Sequence, residues 1–166
     1  MDIGSKRGYP SGALSNFAGH RFVLDGVQCN SMEGFLQRLK FQNPEIQKEV
    51  CKLVGLAAKR RGRARTKAWQ RVQTLWWMGE AYPRHSTEYQ LLLNRAYAAM
   101  HDQSASFRAA LSAAGDARFT HSIGCGDARS TVLTEAEFVQ RLNLLRMVDK
   151  QEAAKAARSS YNSSKL

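Results

Sequence analysis

Long apolar runs are missing from this 166-residue chain. No stretch approaches the roughly 18–20 apolar residues of a membrane-crossing helix, which excludes a helical span. Met1 to Gly19 is mostly polar and small and lacks the apolar core of a secretion signal. Cysteine is scarce: Cys29, Cys51 and Cys125 are odd in number, far apart and without C-x-x-C spacing. That pattern argues against a zinc ribbon and against a disulfide framework, and a reducing cytoplasm is the expected home. No Walker-type or Rossmann-type glycine motif is present, and no Gly-x-Ser-x-Gly elbow. No metal-ligand cluster emerges either, so neither a metal nor a cofactor is expected. Internal repeats are absent.

Acidic residues are also few, 14 against 25 lysines and arginines, for a net charge of +11. The imbalance is local. Lys52, Lys59, Arg60, Arg61, Arg63, Arg65, Lys67 and Arg71 fall within twenty residues that hold no acid. Such a field draws polyanions: phosphate-bearing ligands, DNA or RNA. The competing reading is a solvated basic helix. Apolar residues make up 43% of the chain, enough for one domain with a sizeable core.

The chain opens on a loop-like segment with Gly4, Gly8, Pro10 and Gly12. Arg21 to Cys29 reads as a hairpin turning at Asp25-Gly26. Asn30 or Ser31 caps a helix that should stop near Asn43, ahead of Pro44. Further helices are expected over Pro44 to Leu53, over the basic stretch punctuated by Gly55 and Gly62, and over Lys67 to Met78. Ser86 caps a helix with the stripe Tyr89, Leu92, Leu93, Ala96, Tyr97 and Met100. Phe107, Ala110 and Leu111 mark another, closed by Gly115. Arg118 to Ser122 reads as a strand and Gly124 to Ser130 as a loop. Thr134-Glu135-Ala136-Glu137 has the form of a capping box and opens a last helix through about Met147. The sum is an α+β fold: one mostly helical domain over residues 1–149 with a small antiparallel sheet. A basic Ala/Ser/Lys-rich tail, 150–166, has few large apolar groups and is expected to fray.

The densest chemical signal lies in Asn30 to Phe41. Glu33, Gln37 and Lys40 recur at i, i+4 and i+7 and so share one stripe of an otherwise apolar helix. A half-buried carboxylate and ammonium are costly unless they pair or do chemistry. Two readings fit Glu33: a reacting acid, or a first-turn acid favoured by the helix dipole. Two fit Lys40: an amine whose proton is loosened by burial, or the ion-pair partner of Glu33. Asp127, between flexible glycines, is either a ligand contact or an Asx-turn residue. His121 is more often a packed histidine than a base. Adjacent Trp76 and Trp77 on a helix point about 100° apart, so both cannot face one core. Trp77, at the Met78-Gly79 end, is then the candidate for base stacking, worth about 1–3 kcal/mol, and Trp69 is expected in the core. Lys59, Arg60, Arg61 and Arg63 are the candidate phosphate and nucleic-acid contacts, since arginine forks hold phosphate oxygens in pairs.

These motifs resemble a known family. Ala13-Leu14-Ser15-Asn16-Phe17, the hairpin Phe22 to Val27, and Ser31-Met32-Glu33 followed by Gln37-Arg38-Leu39-Lys40-Phe41 look like the NADAR, or YbiA-like, family. So do Arg84-His85-Ser86-x-Glu88-Tyr89-Gln90, Thr120-His121-Ser122-Ile123-Gly124 and Thr131-Val132-Leu133-Thr134-Glu135-x-Glu137-Phe138. The resemblance runs from about Ser5 to Arg146. It implies an α+β fold and N-glycosidase chemistry on ribosyl derivatives. One branch of such proteins removes ADP-ribose from guanine in DNA, undoing DarT-type ADP-ribosyltransferase toxins; the other hydrolyses phosphorylated intermediates of riboflavin synthesis. The riboflavin-type pattern places Trp-Gly shortly after an acidic residue, whereas Asp127 is followed by Ala128-Arg129-Ser130. By resemblance Glu33 supplies the anion and Lys40 a nucleophilic or ligand-fixing amine. Asn16 and Phe17 border the ligand, the first bonding sugar or base and the second stacking. The implied partners are ADP-ribosylated DNA or another ADP-ribose-containing ligand and, functionally, an ADP-ribosyltransferase toxin. The rival of a different class is a catalytically silent reader of ADP-ribose or DNA.

Overall fold

The computed structural model describes residues 1–163. The hairpin at Asp25-Gly26 forms from β1 (Phe22–Leu24) and β2 (Val27–Cys29), antiparallel, with Leu24 opposite Val27. Asp25 and Gly26 both take positive φ, 49° and 77°, as a two-residue hairpin turn requires. Ser31 then caps α1 (Met32–Arg38), its hydroxyl accepting the Gly34 N–H. The helix ends at Arg38, short of Asn43. Its last turn tightens through Lys40 N–H to Gln37 and Phe41 N–H to Arg38, while the Leu39 carbonyl accepts from Trp76 at 2.8 Å. Lys40 therefore lies just past the helix rather than on it.

Asn43 caps α2 (Pro44–Cys51), which starts on Pro44 as anticipated. The basic segment folds as α3 (Gly55–Arg63) and α4 (Thr66–Val72). The helix expected to continue to Met78 stops at Val72, where Gln73 turns left-handed. A second hairpin follows instead: β3 (Thr74–Trp77) pairs antiparallel with β4 (Glu80–Pro83). Its turn, Met78-Gly79, again has two positive φ values, 52° and 84°. Trp76 and Trp77 thus alternate across a strand, and Leu75 and Trp77 face inward.

Ser86 caps α5 (Thr87–Gln103), whose predicted stripe is buried throughout. Ser104 caps α6 (Ala105–Ala113), and Gly115 follows it at φ 53°. Arg118 to Ser122 is no strand; one parallel bridge joins Thr120 to Asp2, so the loop-like start of the chain is what pairs there. The capping box opens α7 (Glu135–Ser163) with reciprocal bonds, Thr134 N–H to the Glu137 carboxylate at 2.7 Å and Glu137 N–H to the Thr134 hydroxyl at 3.1 Å. The helix runs on past Met147 into the stretch expected to fray, and Gln151 to Tyr161 is exposed on every side. Residues 164–166 of that stretch lie outside the described residues. Among the described residues, no helix is long and apolar enough to cross a membrane.

One core joins α1, α5 and α6 with the inner faces of both hairpins, and Trp69 and Trp77 are buried in it. Every residue of α1 is buried. Glycine makes this possible: a Cβ on Gly34 would lie 2.6 Å from the Leu53 carbonyl and 3.0 Å from that of Cys51. Arg38, fully buried, places its guanidinium 3.7 Å from the centre of the Trp77 ring and donates to Cys51 Sγ and to Gln47. Cys29 and Cys51, distant in sequence, meet here as free thiols 3.0 Å apart. Burial raises both, but the hydrogen bond from Cys29 and the Arg38 charge bring Cys51 below the usual thiol range, whereas the bond to Cys51 and burial push Cys29 up.

Arg84 anchors the far side. Its buried guanidinium grips the Glu137 carboxylate with two bonds, 3.0 and 2.7 Å, and donates to the Thr131 carbonyl at 2.9 Å. Burial works against the Glu137 charge, yet Arg84, the Thr134 N–H and Gln90 hold its carboxyl down at about 2. Gly34→Ala is expected to destabilise by about 1–3 kcal/mol or more, because the methyl meets backbone on a neighbouring segment. Gly8→Ala, with nothing within 4 Å of the new carbon, should shift stability by less than about 0.5 kcal/mol. Urea denaturation midpoints read both.

Candidate active site

α1 carries Glu33 into a cavity of about 160 Å³. α1 lines it with Glu33, Leu36 and Gln37; Thr131 to Thr134, on the approach to α7, and Phe138 of α7 itself add to the lining. Asn16, Lys59, His121 and the run Ile123 to Cys125 complete it. The position of Glu33 is fixed twice. Its N–H donates to the Asn16 carbonyl at 2.9 Å, and its carboxylate accepts from Gln37 Nε2 at 2.8 Å. The spacing of four between Glu33 and Gln37 makes that second bond possible. Gln37 in turn needs Gly62 of α3 beside it: a Cβ there would lie 1.9 Å from Gln37 Oε1. That oxygen is buried with no partner among the described residues.

Burial lifts the carboxyl of Glu33 above its ordinary range, partly offset by the bond from Gln37 and by the charges of Lys59 and Lys40. A carboxyl so placed can hold or release a proton nearer neutrality than an exposed one, which suits acid–base work. The polar groups around it are oriented. Asn16 Oδ1 accepts from the Tyr97 hydroxyl at 2.7 Å, which leaves its NH₂ for other partners. Burial pushes the Tyr97 phenol up, so it stays a donor. His121 Nδ1 sits 2.8 Å from the Ile3 carbonyl and must be the N–H nitrogen there, freeing Nε2 to accept. Its ring meets Phe138 edge-on, 5.0 Å between centres. Lys59 lies over Phe17, its Nζ 5.6 Å from the ring centre.

Of the residues singled out in the sequence, Glu33, Gln37, Asn16, His121 and Lys59 converge on this cavity. Others do not line it. Lys40 is buried behind α1, donates to the Thr66 hydroxyl at 3.2 Å and is lowered to about 8 by burial, with Glu33 opposing. Phe17 supports Lys59 instead of facing a ligand. Trp77 belongs to the core, its Nε1 donating to Asp25 at 2.7 Å, so the stacking role expected of it fails: it is on a strand, not at a helix end. Asp127 is the Asx-turn residue of the two readings; its exposed carboxylate accepts from the Arg129 N–H at 2.9 Å and the Ser130 hydroxyl at 2.5 Å, which lower it. Arg60, Arg61 and Arg63 are exposed along α3, outside the cavity. Leu36, Ile123 and Val132 went unnoticed as lining because nothing distinguishes a wall residue from a core residue by type. Among the described residues, no group of three His, Cys, Asp or Glu side chains is placed to hold a metal ion.

The architecture matches the NMR structure of the E. coli protein YbiA with a TM-score of 0.58 and 18% identity, over 92% of this chain and 84% of that one. The fold is therefore YbiA-like. The chain belongs to the bacteriophage protein GP30.3 family, whose pattern matches residues 8–147. It is 44% identical over 147 residues to an uncharacterized 17.1 kDa protein of the Gp30-rIII intergenic region of Enterobacteria phage T4, across 88% of this chain and 96% of that one.

The two buried charges have opposite signatures in stability. Because the folded state raises Glu33, its contribution is present below the ordinary carboxyl value near 4.5 and is lost as pH rises above it. Lys40, depressed, contributes above about 10.5 and loses that contribution as pH falls through about 8. Glu33→Gln, which keeps an acceptor for Gln37, should therefore raise the urea midpoint at pH 8 and leave it nearly unchanged at pH 4.

Proposed function

We propose that this protein is an N-glycosidase that removes ADP-ribose from modified guanine in DNA. One observation carries the reading: a buried, proton-retentive carboxyl, Glu33, at the wall of a small polar cavity whose side bears Lys59 and the basic α3. Breaking a C1–nitrogen bond builds positive charge on the sugar carbon, as glycoside hydrolysis does. A carboxylate held against that carbon stabilises the charge in a site with little water. Glu33 then takes a proton from the attacking water, the water oxygen bonds to C1 as the C1–nitrogen bond breaks, and the proton held by Glu33 passes to the departing base, which restores the carboxylate. Asn16 and Gln37 position the sugar, and His121 Nε2 accepts a hydrogen bond from a sugar hydroxyl. Lys59, with Arg60, Arg61 and Arg63, holds phosphates. The motifs shared with NADAR proteins and the YbiA-like fold support the same chemistry. An ADP-ribosyltransferase is the kind of enzyme that would supply the substrate.

Lys40 enters through its charge, which lies close enough to Glu33 for each to shift the other. A nucleophilic Lys40 would first have to leave Thr66. Borohydride added during turnover separates the two roles: a trapped protein–sugar adduct assigns the amine to C1, and active turnover without adduct leaves Lys40 a neighbouring cation.

The main test offers the protein an ADP-ribosylated guanine oligonucleotide and, separately, phosphorylated flavin-pathway intermediates, with mass spectrometry of the released sugar and base. ADP-ribose from the first is the expected result. Glu33→Gln should slow release by about 10²–10⁴-fold. Cleavage of the flavin intermediates alone transfers the reading to that substrate, and tight binding without any product makes the protein a reader, not an enzyme.

A further inference from the structure

α1 and α3 lie side by side and run in the same direction. Lys59 acts on Glu33, Gly62 sits against Gln37, and Thr66, just past α3, bonds Lys40. Continued one step, the same alignment brings Arg61 and Arg65 to Phe41, and there a second groove of about 420 Å³ opens. Phe41 is lined up with Arg61, whose guanidinium lies 5.0 Å from the ring centre. Gln42 and Asn43 supply exposed amides and Ile46 an apolar flank. Asn43 Oδ1 is committed to the start of α2, which leaves its NH₂ outward.

We propose that this groove seats an unpaired nucleotide a few steps along the strand from the one in the Glu33 cavity, so that the protein binds single-stranded nucleic acid across the surface that α3 presents. The inference rests on the glycosidase reading for what fills the first cavity. The groove has what a nucleotide needs: a flat cation on an aromatic ring for the base to stack on, amides for its edge, and a second arginine for its phosphate. Eight residues separate Glu33 from Phe41, five steps of α-helix and three of the tighter turn beyond Arg38, on the order of 13 Å. That is about four steps of a stacked strand and fewer of an extended one. Lys59 lines the first seat and Arg61 and Arg65 the second, and with Arg63 all are exposed and in no ion pair among the described residues. Bases inside a duplex are stacked and cannot reach such a floor, whereas those of a single strand can. Glu45 is the nearest acid in sequence, and Lys48 neutralises it at 2.9 Å.

Fluorescence anisotropy with a short unmodified oligonucleotide, at several salt concentrations, tests the groove. The single strand should bind more tightly than the same sequence as duplex. Arg65→Ala should weaken it roughly tenfold and reduce the salt slope by about one. Phe41→Leu should weaken it by a similar factor with the slope intact. Arg158→Ala, on the exposed length of α7, removes the same charge and should change nothing. Thermal unfolding confirms that each variant is folded. Equal loss from Arg158→Ala, unchanged binding by Arg65→Ala and Phe41→Leu, or duplex preferred over single strand overturns the proposal. Because the strand is unmodified, binding through Arg65 without release of ADP-ribose from a modified strand sinks the glycosidase reading alone, and release with these variants binding normally sinks the groove alone.

Discussion

α1 has no outer face, and the rest of the structure is arranged around that constraint. A seven-residue helix buried all round must find partners for most of the polar groups it carries, and on α1 Gln37 Oε1 and Arg38 Nε remain without one among the described residues. Glu33 finds Gln37. Arg38 finds no carboxylate; it is held by the Trp77 ring, by Gln47 and by Cys51 Sγ, to which it donates. Only glycines let the neighbours close in: Gly34 under the end of α2, Gly62 against Gln37. A buried acid beside an open cavity is the costly product of this packing. Proteins keep such groups where chemistry uses them.

The site is built by segments far apart in the chain, and its two sides are secured by different means. The α1 side is held by burial. The wall made by Thr131 to Thr134 is held by polar bonds: Arg84, just past β4, grips both the Thr131 carbonyl and Glu137, and Glu137 caps α7 through Thr134. Tyr89, from α5, adds a bond to the Val132 carbonyl. Supporting bonds of this kind set the precision of a cavity, because lining side chains can be no better placed than the backbone beneath them.

Much of the fold is local, and what is local was legible. Asp25-Gly26, the serine caps at 31 and 86, Pro44, the α5 stripe and the Thr134–Glu137 box each act within a few residues and formed as read. The failures share a cause: a partner from elsewhere decided them. α1 stops early because the Leu39 carbonyl is claimed by Trp76, and Trp76 sits on a strand that helical propensity around Lys67 to Val72 concealed. Met78-Gly79 was the missed signal, a turn pair like Asp25-Gly26 but led by methionine. At the site, spacing found Glu33 and Gln37 because they share a helix face. Asn16, His121 and Lys59 were drawn from resemblance and charge. Trp77 was misplaced for want of its neighbour Asp25, and the two readings left open for Asp127 part at Arg129 and Ser130, which complete its turn.

Between His121 and Thr131 the chain crosses the mouth of the cavity with both ends tied down, His121 to the first residues of the protein and Thr131 to Arg84. Ile123, Cys125 and Asp127 on that span are exposed, and the bonds of Asp127 stay within the span itself. The backbone of the span is tied to the scaffold, the Cys125 carbonyl to the Glu135 N–H and the Arg129 and Ser130 carbonyls to the amides of Gln73 and Gln70. What stays free to vary there is the exposed side chains of Ile123 and Cys125, so the rim of the cavity can be recut by substitution while its frame is left standing.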